Sequence, residues 1–462
     1  MITRRGSPPH EDPCVPCCQP LLSGTNTTNT QQRHPVSPNP SPEMKIDRVP
    51  GALADIDTAV EAIGADFWPV NQHIHDNPEL AWHEFIAHDT LTAFMETQPG
   101  WKVKRSCYGL KTAWIAVYDS GVPGPVVSFN AEYDSLPGIG HACGHNLIAT
   151  SSVVGASAAA QIVTARKLPG KIVLYGTPAE ESGGGKVKLL EAGAYKDYNV
   201  DLSLISHPSI GPTSARLGTT AISTFKVEYF GVAAHAAANP WLGINALDAL
   251  VQGYNNFSML RQQTIPGEII QGYITHGGDA TNIIHKYAAG EFTVRADSAS
   301  RLETLRAQVV RCFEAGALAT GARLQLTHLG AYKDNLSNGP MADAFTRYYN
   351  ALGGSKDDTI ATDPDKDAAN GKTQASTDQG DVSYAMPSIS PIYQIEGSQG
   401  PHTPGFAKSA GTRAAYARAL RVAKGLAGVA VEALRDQHFL ADIKSTWEQD
   451  RKKSGEAVAY NW

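Results

Sequence analysis

Residues 129–146 read FNAEYDSLPGIGHACGHN, and this stretch decides the fold because it joins two segments of different pattern. A short apolar run at 125–130 leads into it, and a long helical pattern at 146–165 follows it. A strand that passes through a glycine-rich turn into a helix is typical of α/β proteins with a parallel sheet. The alternation recurs on both sides, with further apolar runs at 112–118, 171–176 and 201–206. The sequence therefore predicts an α/β fold whose mixed, largely parallel sheet is flanked by helices.

A second pattern interrupts this one at residues 218–332. Its strand-like and helical segments follow in the order β-α-β-β-α-β, which is the order of ferredoxin-like α+β domains. The sequence therefore predicts that 218–332 is a domain inserted into the α/β domain, which would comprise 45–217 and 333–440. Within the second part, 356–377 is expected to be a polar loop. We expect 441–462 to be a C-terminal tail.

Residues 1–44 stand apart because they are rich in proline and polar residues and show no hydrophobic period. Such a composition predicts a disordered segment. The segment begins with two arginines but lacks the apolar core of a secretory signal. Its cysteines, Cys14, Cys17 and Cys18, could bind zinc, but no second half of such a site follows nearby. An incidental group of cysteines is therefore the favoured interpretation.

The composition argues against several classes of function. The chain has 462 residues, a net charge of −6, 42% apolar residues and 18% charged residues, as in ordinary globular proteins. A mildly acidic chain lacks the basic surface that nucleic acids and anionic membranes attract, so we expect neither partner. We expect no apolar run to reach the roughly 18–20 residues of a spanning helix. Six cysteines are not a disulfide framework, and without a secretory signal we expect a cytoplasmic protein.

The turn at 129–146 also carries side chains that could bind a metal. Cys143 and His145 lie two residues apart, and thiolate and imidazole are donors that suit zinc. His141 stands two residues earlier and is interpreted as a turn residue or an outer contact of the site. The structural alternative for the whole motif is a glycine-rich turn that buries a cysteine without a metal.

Three further groups occupy strand ends or loops of the same α/β domain. Glu180 and Glu181 end one apolar strand, His207 ends another, and His402 lies in a loop between two prolines. The carboxyl ends of parallel strands are where open α/β sheets bind ligands. One carboxylate of an adjacent pair could ligate a metal while its neighbour acts as a general base. Each group alone has a structural alternative, but several such groups in one domain favour a metal site.

Four segments together resemble the dinuclear metallopeptidase family that includes aminoacylase, bacterial glutamate carboxypeptidase and succinyl-diaminopimelate desuccinylase. They read EYDSLPGIGHACGHN at 132–146, TPAEESGGGK at 177–186, GVAAHAA at 231–237 and STDQGDVSYAMPSI at 376–389. The similarity extends over most of the chain and is greatest to the amidohydrolase branch. Hippurate-hydrolysing members usually carry Asp where Asn146 stands, which favours the dipeptidases and aminobenzoyl-glutamate hydrolases of that branch.

The resemblance implies a role for each candidate residue of the α/β domain. The family's metal-ligand positions fall on Cys143, His145, Glu181, His207 and His402. Together they imply two divalent metal ions, with zinc expected and manganese or cobalt as alternatives. Glu180 occupies the position of the general base, which would activate a metal-bound water. The implied reaction is hydrolysis of a dipeptide or an N-acyl amino acid with a free C-terminal carboxylate. An aminobenzoyl-glutamate-type amidohydrolase is the alternative.

The inserted domain contributes three more residues by the same resemblance. His235 would reach the active site of a partner subunit and stabilise the oxyanion, which implies a homodimer formed through the inserted domain. Asn282 and Arg295 match positions that hold the substrate's carbonyl and terminal carboxylate. The planar fork of an arginine can bind both oxygens of a carboxylate. The structural alternatives are a turn residue for Asn282 and a strand salt bridge for Arg295.

Two other functions fit parts of the sequence. Cys143 could be a nucleophile with His145 as its base, which predicts a covalent acyl-enzyme and insensitivity to chelators. The chain could also be a non-catalytic binding protein that retains the fold, and a degenerate site of this kind should hold fewer than two metal ions. Ser390 and Asp381 depart from the family pattern, in which His and Asn are usual. Neither departure removes a proposed ligand.

Overall fold

The computed structural model describes residues 52–352 and 358–455. The predicted tail at 1–44, with its three cysteines, lies outside the described residues. The described residues form one compact unit. Within that unit the α/β part and the inserted part have separate sheets and largely separate hydrophobic cores. The residue boundaries between these parts stay predictions.

The first part of the chain alternates between helices and strands. In chain order its elements are α1 (Ala52–Asp76), α2 (Phe85–Glu96), β1 (Trp101–Lys104), β2 (Trp114–Asp119), β3 (Val126–Glu132), α3 (His145–Arg166), β4 (Lys171–Thr177), α4 (Gly185–Glu191), α5 (Ala194–Asp197), β5 (Leu202–Leu204) and β6 (His207–Ser209). Every residue of β3 is buried, as expected of a strand whose sheet is covered on both faces.

The inserted part forms a second sheet with two helices. Its elements are β7 (Ala221–Phe230), α6 (Ala246–Leu260), β8 (Ile269–His276), β9 (Tyr287–Ala296), α7 (Ala299–Thr320) and β10 (Arg323–Tyr332). The four strands are antiparallel in the order β10-β7-β9-β8, and the β-α-β-β-α-β succession is ferredoxin-like. Strand β7 alternates between buried and partly exposed residues because α6 and α7 cover only one face of the sheet.

The chain then returns to the first sheet. The remaining elements are α8 (Gly339–Ala351), α9 (Pro364–Gly371), α10 (Gln379–Ala385), β11 (Ser388–Ile389), β12 (Ile392–Gln394), α11 (Pro404–Ala410), α12 (Arg413–Arg435) and α13 (Gln437–Lys453). Two of these differ from the sequence predictions. The segment expected to be a polar loop contains α9, whose first backbone amides are capped by Asp363. The expected C-terminal tail belongs largely to α13, because Phe439 and Ile443 give this polar helix a buried face.

The central sheet places three strand ends side by side. Its six strands lie in the order β1-β2-β4-β3-β5-β11, and β4, β3, β5 and β11 run parallel. Glu132 pairs with Thr177 in the register, and Phe129 pairs with Leu204. The carboxyl ends of β3, β4 and β5 therefore meet at one edge of the sheet, where ligand sites of such folds lie. The predicted mixed, largely parallel sheet is confirmed.

Helix α3 lies at the centre of the α/β part and packs against α1, α12 and β3. Its close approach to α12 requires Gly155, where a Cβ would lie 3.1 Å from the carbonyl oxygen of Ala423. By length and hydropathy α3 could cross a membrane, but 89% of its most apolar window is buried inside the protein. The expectation that no apolar run reaches spanning length was therefore wrong for this helix. Its apolar surface packs into the protein core.

Candidate metal centre

Five donor side chains converge at the edge where β3, β4 and β5 end. Cys143 and His145 follow β3 in the turn that enters α3, and Glu181 follows β4. His207 opens β6 shortly after β5, and His402 lies in the loop before α11. The Cys143 Sγ lies 3.3 Å from His207 Nε2, and His402 Nε2 lies 3.4 Å from Glu181 Oε2. The structure thus brings together the five residues that were predicted to bind metal.

The five donors form two groups that share the cysteine. Cys143, His145 and His207 form one group, and Cys143, Glu181 and His402 form the other. The donor atoms within each group lie within 4.8 Å of one another. His145 Nε2 and Glu181 Oε1 are buried and have no hydrogen-bond partner among the described residues, which is unusual for buried polar atoms. Thiolate, imidazole and carboxylate are donors for zinc and similar divalent metals, so these residues fit two such ions.

Asp134 orients two of the candidate ligands. Its Oδ1 lies 2.9 Å from His145 Nδ1, and its Oδ2 accepts a 3.0 Å hydrogen bond from the backbone N–H of Glu181. Burial opposes the charge of Asp134, but the contacts with His145 hold the pKa of this carboxyl below its ordinary value. An ionised Asp134 accepts a hydrogen bond from the Nδ1–H of His145 and leaves Nε2 as the metal-donor atom that faces the centre. This carboxylate–imidazole pairing is common around protein-bound zinc.

His207 is held in the form that can donate to a metal. Its Nδ1 donates to the carbonyl oxygen of Pro208 at 2.7 Å, so its Nε2 is free to face Cys143. Burial lowers the pKa of His207 to about 4. The imidazole is therefore neutral at physiological pH, as a metal-ligating histidine must be.

The environment of Cys143 disfavours its interpretation as a free nucleophile. Burial raises the pKa of this thiol well above its ordinary value. A thiol with a raised pKa holds its proton at neutral pH and is a weak nucleophile, whereas a bound metal ion stabilises the thiolate. The geometry therefore favours Cys143 as a metal ligand over the cysteine-nucleophile hypothesis.

Three backbone positions at the centre have positive φ angles. Ala179, directly before Glu180, has φ 58°, and His402 has φ 66°. Gly144 has φ 78°, and a Cβ there would lie 2.6 Å from the Cγ of Pro208, so only glycine fits between Cys143 and His145. Non-glycine residues in this region store strain that the surrounding structure must hold, and they cluster at functional sites.

Glu84 holds the strained turn that presents the paired carboxylates. It is fully buried, and its Oε1 accepts a 2.8 Å hydrogen bond from the backbone N–H of Ala179. Its other oxygen accepts a 2.8 Å hydrogen bond from the Thr112 hydroxyl on the neighbouring chain segment. The side chain of Glu84 therefore fixes the backbone from which Glu180 and Glu181 extend.

Glu180 lies beside both donor groups without belonging to either. Its Oε2 is 3.9 Å from His145 Nε2, and its backbone carbonyl accepts a 3.0 Å hydrogen bond from the Tyr332 hydroxyl. Burial, and then the nearby carboxylates of Glu132 and Glu181, raise the pKa of Glu180 well above its ordinary value. A raised pKa is typical of carboxylates that act as general acids or bases near neutral pH.

A cavity of about 610 Å³ opens onto this centre. Cys143, Glu180 and His402 line one side of it, and Arg295 of strand β9 lines another. The Arg295 guanidinium donates to the Ser376 hydroxyl at 2.9 Å and has no carboxylate partner among the described residues. Burial lowers the pKa of Arg295, because the cavity wall removes part of the hydration of its charge. A partly desolvated cation of this kind is suited to an anionic group of a ligand.

His235 and Asn282 lie apart from this cavity. Both are exposed residues of the inserted part, and neither belongs to the lining of the cavity. The backbone carbonyl of Asn282 accepts a hydrogen bond from Ala236 at 3.0 Å, so the two residues lie on adjacent chain segments. The His235 Nδ1 accepts hydrogen bonds from the backbone of Ala237 and Ala238 at 3.2 and 3.1 Å. Within a single chain these two residues do not reach the centre.

Sequence reasoning missed several buried charged residues around the centre. They are Glu84, Glu132, Asp134, Lys186 and Asp378. Two of them could have been found in the sequence. Glu132 and Asp134 are two residues apart at the end of a strand, so their side chains point to the same side of it. The remaining contacts join distant chain segments, and no local pattern marks them.

The family model for peptidase family M20/M25/M40 matches residues 122–434, so the chain belongs to this family of hydrolases. An Xaa-Arg dipeptidase of Mus musculus is 36% identical over 429 residues, which cover 90% of this chain and 95% of the relative. One of the p-aminobenzoyl-glutamate hydrolase subunits of Escherichia coli is 29% identical over 315 residues, covering 64% of each chain. The resemblance proposed from the four sequence segments is confirmed, and so is the prediction of an enzyme.

The fold is also found among solved structures. A dinuclear metal binding peptidase of the M20 family from Bacillus subtilis has a TM-score of 0.62 with this chain at 19% sequence identity. The similarity covers 81% of this chain and 99% of that one. At this identity the comparison establishes the fold.

Proposed function

We propose that this chain hydrolyses the amide bond of dipeptides or N-acyl amino acids that carry a free C-terminal carboxylate. The cavity carries the proposal, because three features face it together: the two metal-donor groups, the buried carboxylate of Glu180 and the guanidinium of Arg295, which makes no ion pair with a described residue. The named activities of the mouse and Escherichia coli relatives support this reaction class.

Two divalent ions are proposed as cofactors, one in each donor group. The set of one thiol, three imidazoles and one carboxylate favours zinc, with manganese or cobalt as alternatives. The Bacillus subtilis peptidase is described as dinuclear, which supports the number of ions. Such ions lower the pKa of a water molecule and polarise an amide carbonyl.

Glu180 is proposed to move the proton during the reaction. Its carboxylate would accept a proton from the attacking water and then deliver it to the leaving amine. The positive charge of bound cations would counteract the repulsion from Glu132 and Glu181, so that Glu180 can ionise. Its buried position beside His145 keeps the carboxylate near the ion that His145 would bind.

Arg295 is proposed to bind the substrate's terminal carboxylate. Its fork faces the cavity and makes no ion pair with a described residue, so its charge is available. The name of the mouse relative supports a dipeptide with a C-terminal arginine, and the Escherichia coli relative supports aminobenzoyl-glutamate. Both substrates carry the carboxylate that Arg295 would hold. The dipeptide is favoured because that relative matches more of this chain.

A homodimer and a cytoplasmic location complete the proposal. His235 and Asn282 are exposed and do not line the cavity of their own chain, which fits residues that act in a partner's site. Mixed dimers of His235→Ala and Glu180→Gln chains test this role. Each variant alone should be nearly inactive, while a mixed dimer should regain activity because one of its sites has both residues. Mixed dimers without activity would contradict the exchange.

The reaction itself is tested with chelated protein and a substrate panel. Activity should vanish on chelation and return with Zn, Mn or Co. Dipeptides ending in Arg or Lys should react faster than aminobenzoyl-glutamate and N-acetyl amino acids, and amine release measures the rate. Full activity after complete metal removal would contradict the proposal and support the cysteine-nucleophile hypothesis.

A further inference from the structure

A buried ion-pair cluster adjoins the candidate metal centre. Lys186, at the start of α4, is fully buried, and its Nζ contacts the carboxylates of both Glu132 and Asp378. The distance from Lys186 Nζ to Glu132 Oε1 is 2.6 Å. Asp378 also accepts a 2.9 Å hydrogen bond from the backbone N–H of Lys186. This lysine therefore has a fixed position between two carboxylates.

Only one oxygen of Glu132 is used in that cluster. The other, Oε2, is buried and has no hydrogen-bond partner among the described residues. It lies 3.5 Å from His145 Nε2, which is likewise buried without a partner. Each zinc–ligand bond is about 2.0–2.2 Å long, so two donors to one zinc ion lie about as far apart as these two atoms do. Glu132, His145 and Glu180 also form a group whose donor atoms lie within 4.8 Å of one another.

The charges around the centre require more than the lysine to balance them. Five carboxylates have side chains that are at most 9% exposed: Glu132, Asp134, Glu180, Glu181 and Asp378. Lys186 is the ammonium that ion-pairs with this group. Burying so many like charges is costly unless cations accompany them. Two divalent cations supply four positive charges and Lys186 supplies one, and together they offset five of the six negative charges that the five carboxylates and a Cys143 thiolate carry.

We propose that Glu132 is a further ligand of the metal ion that His145 binds, with its free Oε2 directed at that ion. Lys186 is a positioning residue for this ligand: it holds Oε1 and leaves Oε2 free to face His145. Asp378 in turn holds Lys186. The inference rests on the proposed function, because it requires a metal ion at His145.

Metal binding by the purified full chain tests the inference. Chelated protein is titrated with Co²⁺, and the visible absorption of the bound ion and the number of ions per chain are measured. In Glu132→Gln we expect one ion to bind roughly 10–100-fold more weakly, with a changed absorption spectrum. The matched control is Glu432→Gln, which alters a buried carboxylate that pairs with Arg347 at 2.8 Å on helix α12. This control should bind both ions as the wild-type chain does.

A double variant separates coordination from charge and from folding. In Glu132→Gln the buried Lys186 loses one of its partners, which could destabilise the fold. Glu132→Gln combined with Lys186→Met removes both charges, so the net charge of the centre is that of the wild type. We expect the double variant to fold and still to bind one ion roughly 10–100-fold more weakly. Wild-type Co²⁺ affinity in the double variant would overturn the proposal, since charge alone would then explain the binding.

The remaining outcomes are equally decisive. Two ions bound by Glu132→Gln with unchanged affinity and an unchanged spectrum would overturn the role of Glu132 while leaving the proposed function intact. A wild-type chain that binds no Co²⁺ and hydrolyses dipeptides after chelation would overturn both. Retention of one ion by Glu132→Gln, together with two ions in the Glu432→Gln control, supports the proposal.

Discussion

Replacing Asp381 with asparagine should stabilise the protein at neutral pH. Asp381 lies in α10 and is buried, and its Oδ2 accepts a 3.1 Å hydrogen bond from the backbone N–H of Lys333. Burial raises the pKa of this carboxyl to about 7. The folded state therefore resists an ionisation that the unfolded chain undergoes near its ordinary value of 3.8. An asparagine keeps an acceptor for Lys333 and has no charge to bury.

The size and sign of the effect follow from the difference between the pKa of Asp381 in the folded state and its pKa in the unfolded chain. A folded-state pKa above the unfolded value means that the folded chain binds more protons, so stability falls as the pH rises from about 4 to about 7. Each pKa unit corresponds to about 1.4 kcal/mol, which sets an upper limit of about 4 kcal/mol for Asp381. Because an asparagine amide must find its own partners when buried, we expect a net gain of about 1–3 kcal/mol at pH 8.

Urea unfolding of chelated wild-type and Asp381→Asn protein between pH 5 and pH 8 measures this gain. The advantage of the variant should grow by roughly 1 kcal/mol per pH unit up to pH 7 and level off above it. Asp442→Asn, at an exposed position of α13, is the control and should have little effect at any pH. A gain for Asp381→Asn that is absent at pH 8, or the same at every pH, would refute the reasoning.

Three further predictions concern the centre and its cavity. Arg295→Ala should lower kcat/KM for dipeptides roughly 10–100-fold, which corresponds to the loss of a charged hydrogen bond of about 1.5–3 kcal/mol. The kcat/KM for C-terminally amidated substrates should not change, and equal losses on both kinds of substrate would contradict its role. Gly144→Ala should destabilise the fold by about 2–4 kcal/mol in thermal or urea unfolding, because of its φ of 78° and the contact with Pro208; unchanged stability would contradict this. Asp134→Asn should weaken metal binding roughly 10–100-fold by disturbing His145, and metal titration with unchanged affinity would show that this contact is dispensable.

Local patterns were enough to predict most of the fold and the donor residues of the centre. The runs at 125–130 and 171–176 are strands because fully buried parallel strands are continuously apolar. Their loops carry Cys143, His145 and Glu181 at consecutive strand ends, and parallel pairing brings those ends to one edge. The position of these donors was therefore implied by the order of strands along the chain.

The residues that support the donors were not predictable in the same way. Lys186 is separated by 192 residues from Asp378, its partner at the other side of the cluster. In the sequence it reads as an ordinary first-turn lysine of a short helix, and only tertiary packing removes it from water. Glu132 was missed for a related reason, since its contacts are made with His145 and Lys186 across the sheet edge.

Helix α13 was missed because its sequence is mostly polar. Phe439 and Ile443 are the buried residues of its 17, too few to give a clear helical period. His235 and Asn282 are a different case. The resemblance assigns them roles at an active site, but within a single chain neither residue lines the cavity. A contact between subunits leaves no pattern within one chain's own core.

Glu180→Gln tests the central claim most directly, because it separates metal binding from proton transfer. The variant replaces a buried carboxylate that lies outside the two donor groups containing Cys143 with a neutral side chain of nearly the same shape. We predict that the purified variant retains two divalent ions per chain, while its turnover of dipeptides falls roughly 10²–10⁴-fold. A Glu180→Gln protein that holds both ions and turns over dipeptides at the wild-type rate would contradict the account.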